Sequence, residues 1–143
     1  MRSLGIDFGE RRIGLAISDE GGKVAVPLTT FERRDDRAAA RHIARIAHSE
    51  GVERLVLGEP RNLDGQGGAA ALRIQRFAQR LERTADLPVL LVDETLTSFE
   101  AEERLRAAGV DPRRHREKVD AVAAQILLQQ ALALRPGASA EGD

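Results

Sequence analysis

Three short apolar segments open the chain with only tight turns between them, and this arrangement constrains the fold more than any other feature. Residues 4–8 form an apolar segment that includes Asp7 near its end, and residues 11–18 form a second one with partial alternation. A third segment covers residues 23–31, after a turn at residues 19–22. Strands joined by turns this short pair antiparallel. The opening segments are therefore predicted to form an antiparallel meander.

Beyond residue 35 the pattern changes to helices that alternate with strands. Helices are predicted over residues 36–50, 69–84, 97–108 and 117–134, and strands over residues 53–58 and 88–92. Right-handed crossovers place the later strands parallel to the first. The order βββ-α-β-α-β-α-α therefore predicts an α/β fold with a mixed five-stranded sheet and helices on both faces.

Two of these elements carry predictions about burial. In the helix at residues 69–84, Leu72, Phe77 and Leu81 are expected to face inward. The strand at residues 88–92 is apolar throughout, which is typical of a strand buried on both faces.

The length and composition favour one domain that needs no disulfide. We expect residues 1–135 to form a single domain, followed by a flexible tail at residues 136–143. The absence of cysteine excludes disulfides, thiolate metal sites and cysteine nucleophiles. No apolar run approaches the roughly 20 residues of a membrane span, and the first residues resemble no leader peptide. We therefore expect a cytoplasmic protein with no membrane partner.

The net charge of −1 does not by itself indicate nucleic-acid binding. Only Lys23 and Lys118 are lysines, so nearly every cationic residue is arginine. This preference fits bidentate phosphate contacts, and it equally fits the base composition of a genome. The absence of Trp and Tyr argues against an aromatic platform for single-stranded nucleic acid.

Three acidic positions stand out by their place in the predicted fold. Asp7 lies near the end of the first strand, Glu94 follows the last strand, and Asp120 lies in the first turn of the last helix. Each one alone also fits a turn, a cap or a charge that the helix dipole favours. Sites of open α/β sheets form outside the carboxyl ends of the strands, and hard divalent cations prefer oxygen ligands. Together the three acids indicate a cation site.

Four segments, in order, resemble one family over nearly the whole chain. They are the opening hairpin GIDFGERRIGLA (residues 5–16), the loop VLGEPRNLDG (56–65), the segment VDETLTS (92–98) and the final-helix signature KVDAVAAQIL (118–127). These segments are similar to motifs of the YqgF (RuvX) family, which has an RNase H-like fold.

The resemblance implies a divalent-metal-dependent nuclease. The family is linked to Holliday junction resolution and to 5′-end maturation of the 16S rRNA precursor. By motif position, Asp7, Glu94 and Asp120 would be both the catalytic residues and the metal ligands. Mg²⁺ and Mn²⁺ suit such ligands equally. The implied partners are a structured RNA precursor or branched DNA, a pre-ribosomal particle, and a second copy of the chain if a junction is cut symmetrically.

The sequence departs from the family pattern at two positions. Thr95 stands where the family usually has arginine, and Glu59 stands where it usually has an apolar residue. Glu59 either adds a ligand or is neutral.

Several arginines are candidates for the phosphate contact that an arginine at position 95 would make. Arg61 and the basic loop with Arg113, Arg114 and Arg116 are therefore predicted to bind nucleic acid. His115, in the same loop, is either a solvated residue or a proton donor to the leaving group.

Two other functions compete with this interpretation. The hairpin with Asp7, Gly9 and Gly14 also resembles the first phosphate loop of actin-like ATPases and sugar kinases, but those proteins need two such domains. A non-catalytic RNA-binding or ribosome-binding factor would not need three converging acids, and an acidic cluster without metal opposes RNA binding. Dependence on metal therefore separates these hypotheses.

Overall fold

A five-stranded mixed sheet forms the centre of the computed structural model, which describes residues 1–59, 68–94 and 97–134. The strands are β1 (Ser3–Phe8), β2 (Arg12–Ser18), β3 (Ala25–Glu32), β4 (Arg54–Glu59) and β5 (Val89–Asp93). Their order in the sheet is β3-β2-β1-β4-β5. β1, β2 and β3 pair antiparallel, whereas β4 and β5 run parallel to β1. The predicted α/β architecture, with its meander followed by parallel strands, is confirmed.

Helices cover both faces of the sheet, as predicted. They are α1 (Asp36–Ser49), α2 (Gly68–Ala85), α3 (Thr97–Ala107) and α4 (Arg116–Ala133). α1 and α2 pack on one face, over a core that includes Leu4, Ile6 and Leu55. α4 packs on the other face, where Val56 meets Leu128. α3 lies against α4. None of these helices is long and apolar enough to cross a membrane.

α1 illustrates how local signals set an element. The Asp35 carboxylate accepts a hydrogen bond from the backbone N–H of Ala38 at 2.8 Å and so caps the helix. Ile43 and Ala47 are buried on its inner face. The helix ends at Ser49, just before Gly51, as the sequence predicts.

Two predictions about burial are wrong. Leu72 is 47% exposed, because it lies on the outer face of α2, whereas Phe77 and Leu81 are buried as expected. β5 is not buried on both faces, since Leu90 is 40% exposed. β5 is the edge strand of the sheet, and α4 crosses mainly β1, β2 and β3, so little covers β5 on that side.

Aromatic packing fixes α2 beside the end of β1. The rings of Phe8 and Phe77 stack with centroids 4.1 Å apart. Arg33 also lies over the Phe8 ring, with its guanidinium carbon 4.7 Å from the ring centre. The same guanidinium donates to the carbonyl oxygen of Glu10 at 3.1 Å, in the turn after β1. The residues that follow Asp7 are therefore held in place from two sides.

The close approach of α4 to β2 depends on Gly14. A Cβ atom at Gly14 would overlap the backbone carbonyl of Asp120 and would lie 2.9 Å from the backbone nitrogen of Ala121. These are backbone atoms of a packed helix, so they cannot move aside as a flexible side chain does. Gly14 thereby sets how near Asp120 comes to the sheet.

We predict that Gly14→Ala destabilises the protein by about 2–3 kcal/mol or more, because overpacking forces α4 away from the sheet. Denaturant unfolding measures the change. The control is Gly21→Ala in an exposed turn, where the nearest atom is a carboxylate oxygen of Asp19 at 3.1 Å and no backbone atom lies close. We expect it to change stability by less than about 0.5 kcal/mol. Equal stability of the two variants would contradict the role of Gly14.

Candidate active site

The ends of three parallel strands bring Asp7 and Glu94 to one edge of the sheet. Asp7 belongs to β1, Glu94 directly follows β5, and β4 lies between these strands. The Glu94 side chain must therefore cross β4 to approach Asp7. It crosses at Gly58, where an added Cβ would overlap Glu94 Oε1 and lie 3.0 Å from Glu94 Cβ. Gly58 therefore belongs to the site. In the sequence it is only part of a family motif next to a loop.

A glycine inside a strand was the available signal for this crossing. Gly in a strand interior often marks a place where another group approaches the backbone closely. Gly58 pairs with Val92 in the register of β4 and β5, one residue before the strands end. The sequence contained this signal, but it could not specify which side chain approaches.

The Asp7 and Glu94 carboxyl groups interact directly and are both largely buried. Burial, the Asp7 charge and a hydrogen bond with Asp7 raise the pKa of Glu94 to about 8. Burial and the Asp120 charge raise the pKa of Asp7 to about 6, although the hydrogen bond with Glu94 lowers it. Two carboxylates this close cannot both ionise at little cost. Without a cation, the pair therefore retains a proton to a higher pH than either isolated carboxyl group would.

One oxygen of this pair has no partner. Glu94 Oε1 is buried and accepts no hydrogen bond from the described residues. Buried carboxylate oxygens are normally hydrogen-bonded, paired or coordinated to a metal. Burial is the largest cause of both raised pKa values, and it also withholds water from the orphaned oxygen. The donor set is thus chemically suited to a hard divalent cation.

Asp120 lies near Asp7 and Glu94, but its carboxylate forms an ion pair with an arginine. Arg12 Nε donates to Asp120 Oδ2 at 2.6 Å, and the two side chains are 33% and 18% exposed. Burial raises the pKa of Asp120, while Arg12 and Arg116 oppose this rise. The Asp120 charge acts on Asp7. Within residues 1–59, 68–94 and 97–134, however, no three acidic or histidine side chains are close enough together to hold one ion.

The other candidate residues lie in different places. Glu59 accepts a hydrogen bond from Gln75 Nε2 of α2 at 2.9 Å. His115 occupies the N-cap position of α4, with its Nδ1 3.6 Å from a carboxylate oxygen of Glu117. Arg61 and Thr95 lie outside the described residues.

The basic loop before α4 divides into two parts. Arg113 and Arg114 are exposed and lie 3.6 and 3.9 Å from carboxylate oxygens of Asp111. Arg116 donates to Glu102 of α3 at 2.9 Å, and its charge lowers the pKa of Asp120. Arg116 therefore lies nearer the acidic residues, whereas Arg113 and Arg114 extend into solvent.

A small groove of about 170 Å³ opens beside Glu94. One wall comes from the end of β1 and the following turn, and the other comes from the first turns of α2. The lining residues are Phe8, Gly9, Glu10, Ala70, Arg73, Ile74 and Glu94. Arg73 could not be identified from the sequence, since its proximity to Glu94 depends on how α2 packs.

Comparison with known sequences matches a family model to nearly the whole chain. The family model described as "RuvX: Holliday junction resolvase" matches residues 1–134. A protein of Anaeromyxobacter dehalogenans is 48% identical over 129 residues, which cover 90% of this chain and 94% of the relative. Proteins of Syntrophus aciditrophicus and Chloroflexus aggregans are each 46% identical over 132 residues, covering 92% of this chain and 88% and 93% of the relatives. All three bear the name "Putative pre-16S rRNA nuclease".

Solved structures with low sequence identity share the fold. Thermus thermophilus RuvC in complex with a Holliday junction superposes with a TM-score of 0.57 at 17% identity, covering 96% of each chain. The Fowlpox virus resolvase with Holliday junction DNA has a TM-score of 0.58 at 12% identity, covering 94% of this chain and all of the viral chain. The RNase H-like fold predicted from the resemblance is thereby confirmed.

The acidic pair predicts a pH dependence of stability. The folded-state pKa values of Asp7 and Glu94 lie above their ordinary values of 3.8 and 4.5, so the folded state retains protons that the unfolded state has released. In chelator, the contribution of the pair to stability is present below about pH 4 and is lost as pH rises to about 8. The loss approaches about 1.4 kcal/mol per pH unit for each retained proton.

Denaturant unfolding in chelator across this pH range measures the effect. We expect a shallower decline in Asp7→Asn, because Glu94 then lacks its main anionic neighbour. If the free energy of unfolding fell equally with pH in wild type and in the variant, the interaction of the two carboxyl groups would be contradicted.

Proposed function

Because the chain belongs to the RuvX family of Holliday junction resolvases, we propose that it is a divalent-metal-dependent nuclease that matures the 5′ end of the 16S rRNA precursor. The observation that carries this proposal is the buried pair of Asp7 and Glu94 with its orphaned oxygen. The names of relatives that are 46–48% identical support the rRNA substrate. The family description favours a second substrate, the four-way DNA junction.

Asp7 and Glu94 would hold the cation, and Asp120 would join them from α4. A divalent ion held there would activate a water molecule and stabilise charge on the phosphodiester during hydrolysis. Mg²⁺ and Mn²⁺ both suit this oxygen donor set. Without a metal, the two carboxyl groups repel each other. A bound cation would remove this repulsion and so explain why both are retained.

The chain's own residues then orient the reacting groups. Gly58 leaves room for the Glu94 side chain, and the Gly14 contact sets the distance of Asp120 from the sheet. Arg12 fixes the Asp120 carboxylate. Arg113, Arg114 and Arg116 would contact the phosphate backbone, as would Arg61, which lies outside the described residues. This division would leave the metal ligands largely buried, whereas Arg113, Arg114 and Arg116 are exposed.

The two substrates place different demands on assembly and location. Two symmetric cuts in a junction would require two sites, and hence a two-fold dimer. Cleavage of an rRNA precursor requires one site, with the RNA presented in a pre-ribosomal particle in the cytoplasm. The non-catalytic alternative, an RNA-binding assembly factor, gains no support from a buried acid pair, because those charges oppose RNA binding without a cation.

We predict that Asp7→Asn and Glu94→Gln each reduce the cleavage rate by more than about 100-fold. Mutating a residue that only supports a metal ligand typically costs about 10–100-fold, and loss of a ligand itself should cost more. Labelled precursor-rRNA fragment and four-way DNA junction are incubated side by side with Mg²⁺, Mn²⁺ or chelator. Glu53→Gln, an exposed acid before β4, removes the same charge as a control and should cleave like wild type. Undiminished cleavage by purified Asp7→Asn, or by wild type in chelator, would overturn the assignment.

We predict further that replacing Arg113, Arg114 and Arg116 with Ala weakens binding. It should also flatten the slope of log affinity against log salt by about 0.9 for each duplex phosphate that the variant no longer neutralises. The single Arg116→Ala variant separates the arginine that lies near Asp120 from the two that extend into solvent. Arg104→Ala, an exposed arginine of α3, serves as the control. An unchanged slope would identify the loop as a solvated connector.

A further inference from the structure

The outer face of α2 carries four arginines in one stripe. Arg73, Arg76, Arg80 and Arg83 are all exposed, and their spacing of three and four residues places them on one side of the helix. The opposite side holds the buried residues Ile74, Phe77 and Leu81. α2 therefore presents a cationic surface to solvent along its length.

Little negative charge lies on α2 itself beside this stripe, although Arg73 lines the same groove as Glu10 and Glu94. Glu82 is the only acidic residue of α2, and none of the four arginines forms an ion pair within the part of the chain that the structure describes. On α3, in contrast, Arg106 pairs with both Glu102 and Glu103. Because the whole chain has a net charge of −1, the stripe is a local concentration of positive charge and not a reflection of bulk composition.

The stripe begins at the active-site groove. Arg73 lines the groove of about 170 Å³ that also contains Glu94 and Phe8. The stacked rings of Phe8 and Phe77 hold α2 in this position. From Arg73 to Arg83 the helix rises about 15 Å, which corresponds to about four phosphates along one strand of a duplex. The exposed side chain of Leu72 offers apolar contact one helical turn before Arg76.

We propose that the Arg73–Arg76–Arg80–Arg83 stripe binds the phosphate backbone of the substrate and guides it from the outer surface of α2 into the groove beside Glu94. The inference rests on the proposed nuclease function and extends it, since it specifies where the flanking part of the nucleic acid lies. The arginines far from the groove contribute to affinity, while the chemistry depends on the acidic residues at the sheet edge.

The test compares two variants that each remove two exposed arginines spaced four residues apart. Arg76→Gln/Arg80→Gln alters the stripe, and Arg37→Gln/Arg41→Gln alters the neighbouring helix α1. Affinity for a labelled precursor-16S rRNA fragment and for a four-way DNA junction is measured in chelator across a salt series. Far-UV circular dichroism and thermal unfolding establish that both variants are folded.

We expect the stripe variant to bind at least about tenfold more weakly and its salt slope to fall by about 1.4–1.8, which corresponds to two phosphate contacts. The control should stay within about twofold of wild type. In metal-containing assays, KM should rise for the stripe variant while kcat at saturating substrate remains unchanged. An unchanged slope, or equal losses in both variants, would overturn the proposal.

These outcomes are distinguishable from a failure of the proposed function. If the stripe variant binds weakly but Asp7→Asn still cleaves, the binding surface stands and the catalytic assignment fails. If Asp7→Asn is inactive but the stripe variant binds normally, the catalytic assignment stands and the path along α2 is wrong. The preference for the RNA or the DNA probe identifies which backbone the surface accommodates.

Discussion

The repulsion between two buried carboxyl groups is the constraint on which the rest of the site depends. Asp7 and Glu94 interact at a sheet edge where burial has removed the solvent that would otherwise screen their charges. Replacing buried charged groups by well-packed hydrophobic residues is often neutral or stabilising. The fold instead retains the acids and positions them. This cost is understandable if a divalent cation supplies the charge that the pair lacks.

The same constraint explains the role of glycines in the architecture. Without Gly58, the Glu94 side chain could not cross β4, and without Gly14, the first turn of α4 could not approach β2. Because each glycine has no side chain, an acidic residue can lie close to the sheet edge at that position. The Arg12 guanidinium then compensates Asp120, whereas the other two site acids, Asp7 and Glu94, form no ion pair with the described residues. Within the site, the negative charge that lacks a cationic partner is therefore located at Asp7 and Glu94.

Most of the fold could be predicted from the sequence because the signals that determine it are local. The short turns, the Asp35 cap and the change of period predicted the antiparallel meander, the later parallel strands and the helices. Asp7 and Glu94 could be placed together, since the ends of parallel strands meet at one edge. The Arg12–Asp120 bond joins residues 108 positions apart, and no local signal reports it. The exposure of Leu72 and Leu90 was missed for the same reason, because periodicity does not reveal which strand lies at an edge or which helix face has a partner.

A metal-dependent nuclease of the kind proposed would have to hold negative charge for its metal and also attract a substrate that is itself negative. In this chain the two requirements are met in different places. The acids are buried at the sheet edge, whereas the arginines of α2 are exposed and begin beside the same groove. The arginines extend into solvent along α2, away from the buried position of the acids, so the stripe would attract the backbone on the outer surface of the helix. A net charge near zero therefore conceals a separation of charge that suits both tasks.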